Sequence, residues 1–217
     1  IVVTGVSTFS GAINGTLATA AQANVTSVGT LTGLTVSADS TINSVRVGKG
    51  ANSVSTNTVL GVSALDAAVT GSQNTAVGSE ALTDLTTGAQ NTALGASSLF
   101  ELTTGSENTA VGQQALRNTT TASNNTAVGR SVLTDNTTGT ENTAVGAYAL
   151  TENTTGGTNS AVGYTALYTN TTGGSNTAVG RSALYTNNAS NCVAIGQRAL
   201  YANTTGESNV AIGSAAL

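Results

Sequence analysis

A 17-residue period governs the chain from about residue 57 onward and constrains it more than any other feature. Asn74-Thr75-Ala76-Val77-Gly78 returns as Asn91-Thr92-Ala93-Leu94-Gly95 and Asn108-Thr109-Ala110-Val111-Gly112, and the series runs to Asn209-Val210-Ala211-Ile212-Gly213. The repeat glycines fall at Gly61, Gly78, Gly95, Gly112, Gly129, Gly146, Gly163, Gly180, Gly196 and Gly213, with one 16-residue step before Gly196. Self-similarity at this spacing is the mark of a solenoid, a rod in which each coil touches mainly its neighbours.

The pattern inside one repeat predicts an all-β fold, a parallel β-roll or β-solenoid of 17-residue coils. Val, Leu or Ile precedes each glycine, Ala nearly always stands before that, and Leu follows four places after. Successive side chains of a strand point to opposite faces, so Val77 and Thr75 share one face while Ala76 and Asn74 share the other. The glycines permit positive φ or close backbone approach, and the Asn-Thr-Thr-Gly runs at 136–139, 153–156, 170–173 and 203–206 are turn chemistry. Each repeat therefore reads as strand, corner, second short strand and loop, with Asn ladders stacked in register. The expected structural core is Val77, Leu82, Val111, Leu116, Val128, Leu133, Val145, Leu150, Val162, Leu167, Val179, Leu184, Ile195 and Leu200. Neither strand face carries charge. One can close on the coil's own interior, and the second asks for another surface, which argues for oligomerisation.

Before the repeats, residues 1–50 read as a Thr/Val/Gly-rich, irregular β-stranded shaft segment and cap, and residues 51–217 as the stacked coils. A short helix is expected over 16–24, where alanines cluster, and Val45-Arg46-Val47-Gly48-Lys49-Gly50 reads as an imperfect first coil. A chain without Met that opens on Ile1 and closes on Leu217, midway through a repeat, is expected to be part of something longer.

Charged residues make up only 7% of the chain, the net charge is −4, and Lys49 is the sole lysine beside five scattered arginines. That leaves no basic stripe for a phosphate backbone, and no stretch approaches the roughly 18 apolar residues of a membrane span. Nucleic acid and membrane insertion are not expected, and no cofactor is implied. Cys192 stands alone where other repeats hold Asn, so it reads as a small buried substitute in the stack.

With no His anywhere, Ser-His-Asp and Cys-His catalysis and His-based zinc sites are excluded. The carboxylates are spread over different coils; a pair such as Glu80 and Asp84 could in principle act as a glycosidase dyad, and solvated loop charges account for them better. Five places after the repeat glycine stand Phe100 in one coil and Tyr168, Tyr185 and Tyr201 in the last three such coils. Stacking puts these phenols in a ladder, either packing the structure or offering a surface for sugars or proteins. Tyr148 and Tyr164 occupy other repeat positions and are not expected to extend it. The Thr-Thr pairs invite comparison with ice-binding arrays, but adjacent residues of a strand point to opposite faces and give no flat Thr-x-Thr surface.

The motif Asn-Thr-Ala-Val-Gly-x-x-Ala-Leu-x-x-Asn-Thr-Thr-Gly, carried by residues 74–217, resembles the repeats of bacteriophage tail-fibre proteins. Residues 15–29 resemble the segment that often precedes them. Cys192-Val193-Ala194-Ile195-Gly196 and Asn209-Val210-Ala211-Ile212-Gly213 are also similar to the head repeats of trimeric autotransporter adhesins. The first resemblance implies a virion shaft segment supporting host attachment, with any contact to a host-surface glycan or protein made by further, distal domains. The second implies a left-handed parallel β-roll with three chains around one axis, and leaves a bacterial surface adhesin or extracellular filament as the alternative.

Overall fold

The computed structural model describes residues 39–217, so the helix expected over 16–24 and the irregular strands before residue 39 lie outside it. Among the described residues the chain is all β, with no helix, and its twelve strands form one sheet in chain order. They are β1 (Ser40–Ile42), β2 (Val45–Gly48), β3 (Thr58–Gly61), β4 (Thr75–Val77), β5 (Thr92–Leu94), β6 (Thr109–Val111), β7 (Thr126–Val128), β8 (Thr143–Val145), β9 (Ser160–Val162), β10 (Thr177–Val179), β11 (Val193–Ile195) and β12 (Val210–Ile212). From β3 onward neighbouring strands are parallel and pair like with like: Thr75 with Thr92, Ala76 with Ala93, Val77 with Leu94. The structure is a parallel β-solenoid.

Alternation along each three-residue strand sends its central Ala inward and the flanking Thr and Val outward. Ala76, Ala93, Ala110, Ala127, Ala144, Ala161 and Ala178 are all fully buried. The leucine column Leu82, Leu116, Leu133, Leu150, Leu167 and Leu184 is equally buried, and Leu200 is 8% exposed. Small Ala on one wall leaves room for the longer Leu in a coil only one side chain thick, which meets the packing density that interiors require. The residues before the glycines correct the expected core. Val77, Val111, Val128, Val145, Val162, Val179 and Ile195 project from the outer face, with Val128 36% and Ile195 40% exposed. β-branched side chains suit this pleated outer surface, and alternation along the strand leaves the inward place to the central residue.

The corner after each strand is made by glycine for two reasons. From Gly78 to Gly213 the repeat glycines have φ between 119° and 144°, where side chains are strained. A Cβ on Gly78 would also lie 2.6 Å from the carbonyl oxygen of Gly95 in the next coil. The expected second strand is absent. In its place is a turn whose residues alternate in hand: Glu80 at φ 59° and Leu82 at φ 53°. Its amides still bond between coils, Glu80 N–H to Val62 at 2.8 Å and Leu82 N–H to Ser98 at 3.1 Å. Every buried leucine of the column has φ between 46° and 53°.

Asparagine at the entry to each strand builds a ladder through the interior. Asn108 Nδ2 donates to Asn91 Oδ1 at 3.1 Å and to the Ala122 carbonyl at 2.9 Å, and Asn108 Oδ1 accepts the backbone N–H and Nδ2 of Asn125 at 3.1 and 3.2 Å. All of its polar capacity is used while it is fully buried, as an interior amide must be. A second column lies at the turn seven places after the glycine. It begins as Leu85 and Leu102, passes through Thr119, and becomes a second ladder of Asn136, Asn153, Asn170 and Asn187. In the adjoining Thr-Thr pairs the first hydroxyl donates to the next coil, as from Thr137 to the Thr154 carbonyl at 3.1 Å.

The 16-residue step falls in this turn, where Asn187-Asn188-Ala189 replaces Asn-Thr-Thr-Gly. Elsewhere the Thr171-type carbonyl accepts the N–H groups of both threonines of the preceding coil, Thr154 at 2.8 Å and Thr155 at 3.2 Å. Asn188 Oδ1 takes over that role, accepting from Thr171 N–H at 2.7 Å, Thr171 Oγ1 at 2.8 Å and Thr172 N–H at 3.4 Å. A side-chain amide thus substitutes for a missing peptide group.

The first end of the stack is closed by an antiparallel hairpin rather than an imperfect coil. β1 and β2 turn through Asn43 and Ser44, both at positive φ, the two-residue loop that matches strand twist. β2 then pairs antiparallel with β3. Arg46 fastens it through an ion pair with Asp66, and the Asp39 carboxylate accepts the N–H groups of Lys49 and Gly50 at 2.6 and 2.8 Å.

Candidate functional site

Two surface features rise above a repetitive polar coat: the outer face of the sheet and an aromatic cluster on the turn side of the later coils. The outer face carries two parallel columns, one mainly of Thr and one of Val, Leu or Ile, fixed by the strict register of the strands. Its aliphatic column stays open along the stack, from Leu60 (45% exposed) through Leu94 (47%) to Val179 (38%).

The expected tyrosine ladder is formed. Tyr168 and Tyr185 stack with centroids 5.3 Å apart and planes 5° from parallel, and Tyr185 and Tyr201 follow at 5.1 Å and 9°. Coil stacking imposes the spacing, and the rings cover one another's faces. Arg198 closes the far end, its guanidinium carbon 4.4 Å from the Tyr201 centroid. Phe100 lies apart from this ladder and is covered by Arg117, the next member of its own column, at 5.1 Å.

Tyr148 and Tyr164 do not join the stack, but they share a groove with it. They meet edge to face at 6.0 Å and 86°, a favoured aromatic geometry. With Thr165, Tyr168 and Tyr185 they line an open groove of ≈ 280 Å³. The turn after the glycine brings positions one, two and five of the repeat to a common side, so residues unrelated by the period become neighbours. Arg130 lies 5.5 Å from the Tyr148 centroid and Arg181 5.9 Å from that of Tyr164. Burial pushes the Tyr168 phenol above its ordinary value, reinforced by the charge of Glu152, by Tyr185, by Asp135 and by Tyr148. Arg130 and Arg181 thus lie against two of the groove's tyrosines, and the negative charge of Glu152 and Asp135 reaches Tyr168.

Nothing comparable surrounds the carboxylate pair. Glu80 and Asp84 are both exposed, and Glu80 accepts a hydrogen bond from Ser97 Oγ at 3.0 Å. Among the described residues no group of His, Cys, Asp or Glu is arranged to hold a metal ion, and no helix is long and apolar enough to cross a membrane. Cys192 is fully buried in the first Asn ladder, its thiol 3.2 Å from the Gly206 carbonyl. Comparison with protein-family models, with curated proteins and with solved structures gave no match.

Proposed function

We propose that the chain is a shaft segment of a homotrimeric bacteriophage tail fibre, a spacer that supports host attachment mechanically and without catalysis. The observation that carries the reading is the unbroken aliphatic column on the outer sheet face, from Leu60 to Ile212, beside a column of threonines. Soluble monomers rarely leave a continuous apolar stripe of this extent uncovered. Copies of the same chain are its natural cover, because three identical in-register columns meet about a common axis with every coil matched. The resemblance of the repeat motif to tail-fibre repeats supports a phage owner, and stacked hydrogen bonds supply stiffness. Ten strands at a spacing of about 4.8 Å give a rod section of roughly 45 Å.

The test is the solution mass of the native protein and of Val128→Asp. A trimer of 21.1 kDa chains is expected for the native protein. The variant should fall to monomers that keep the native circular dichroism, because Val128 points away from the coil's own interior. A native monomer, or a Val128→Asp trimer as stable as the parent, would remove the assembly reading.

The Ile-Gly coils around β11 and β12 favour a second reading, a bacterial surface adhesin or extracellular filament of trimeric-autotransporter type. The physics is shared and the owner differs. Neighbouring genes separate the two: phage structural genes support the tail fibre, and a β-barrel anchor supports the adhesin.

A further inference from the structure

We propose that the groove lined by Tyr148, Tyr164, Thr165, Tyr168 and Tyr185 is a binding site for a carboxylated sugar, a pyranose of the uronic or sialic type within an acidic glycan. The inference does not rest on the tail-fibre reading. A stacked ladder by itself offers only ring edges, since each interior face is covered by the next tyrosine. The two ends of this ladder differ. Tyr201 has Arg198 against it, whereas the preceding member of the column at Tyr168 is Thr151, which carries no ring. Tyr168 lines the groove there, beside the edge-to-face pair Tyr148 and Tyr164.

Apolar C–H faces of a pyranose fit an aromatic face of this kind, and the groove's ≈ 280 Å³ suits one or two such rings. Charge decides which sugar. Arg130 and Arg181 sit over the rings of Tyr148 and Tyr164, and neither forms an ion pair among the described residues. Their planar guanidinium groups present the paired donors that a carboxylate accepts. The phenol groups of the lining tyrosines can donate to and accept from sugar hydroxyls. A ring bearing both a carboxylate and hydroxyls engages the arginines and the phenols together, and a neutral sugar leaves the arginines unused.

The protein carries its own reporter. It has no Trp, and all five of its tyrosines belong to this cluster. Tyrosine emission of the full chain is titrated with tri-galacturonate, with maltotriose as the neutral control. The expected result is a saturable change with the acidic trimer, none with maltotriose, and a Kd raised about tenfold or more in both Arg181→Ala and Tyr164→Ala, as loss of a charge-assisted pair or an aromatic wall implies. Phe100→Ala, outside the groove, should bind as the parent does, and all variants should retain the parental circular dichroism. No saturation by about 10 mM acidic trimer, an equal response to maltotriose, or an unchanged Kd in a folded Arg181→Ala would overturn the proposal.

Discussion

Asn74 Oδ1 accepts two hydrogen bonds from a single residue of the next coil, the backbone N–H of Asn91 at 3.0 Å and its Nδ2 at 3.1 Å. The backbone bond repeats through Asn142, Asn159 and Asn176 and ends at Cys192, whose N–H donates to Asn176 Oδ1 at 2.9 Å. An interior this thin carries little apolar area per coil, so the ladder matters more than polar groups usually do. Fully satisfied buried networks fix a unique register, and partly satisfied ones are costly.

Replacing Asn108 by Ala should therefore be severe. It strips the acceptor from two donors of Asn125 and the donor from the Ala122 carbonyl, all buried. A loss of roughly 3 to 5 kcal/mol follows from unsatisfied groups at about 1 to 3 each. Conversely, Cys192→Asn restores the ladder and should stabilise the chain by about 1 kcal/mol. Urea unfolding of both variants checks the pair.

Thr119 marks the junction where the second column changes from leucine to asparagine, and its Oγ1 is a buried polar atom without a partner among the described residues. Val has nearly the same shape and no hydroxyl to desolvate. Thr119→Val should raise stability by about 1 kcal/mol, seen as an upward shift in Tm. A downward shift would mean that the hydroxyl is satisfied.

Gln90 is exposed and held at φ 60°, in the left-handed region. A glycine there avoids the Cβ strain of about 1 to 2 kcal/mol, less the entropy that glycine adds to the unfolded chain. Gln90→Gly should thus stabilise by about 0.5 to 1 kcal/mol. The reverse substitution at a corner, Gly78→Ala, meets both positive φ and the Gly95 carbonyl and should destabilise by more than about 2 kcal/mol. Thermal melts of the two variants should move in opposite directions.

The raised pKa of Tyr168 gives a pH dependence of definite sign. Its folded-state value lies above the ordinary 10.0, so on raising the pH the unfolded chain releases this proton first. Stability is fully present below that ordinary value and is lost as pH rises through the folded one. Unfolding measured between about pH 9 and 12 should show a shallower decline in Tyr168→Phe than in the parent.

The repeat declared much of this architecture in advance. Like side chains every 17 residues fix the stack, its strict register, the buried Leu column and the Asn ladder. The alternation of Thr75, Ala76 and Val77 told which residues share a face but not which face is inside. That choice depends on which face the turns close over, and here they close over Ala76 and its equivalents. The left-handed conformation of Leu82 has no signal in its residue type, since leucine ordinarily avoids positive φ and only the surrounding coils impose it. The period likewise foretold the stack of Tyr168 and Tyr185 but not its meeting with Tyr148 and Tyr164. A column links residues one repeat apart, whereas the groove joins different repeat positions across a turn that no periodicity describes.

The most direct test of the stacked-coil account is a distance between spin labels at two exposed positions six coils apart, Gln73→Cys and Ser175→Cys, in a Cys192→Asn background. Labelled chains diluted into unlabelled ones remove signals between copies. Six steps of about 4.8 Å predict a narrow distribution centred near 29 Å, broadened only by the label arms. A broad distribution, or a centre beyond about 40 Å, would show that the coils do not stack in register at the strand spacing.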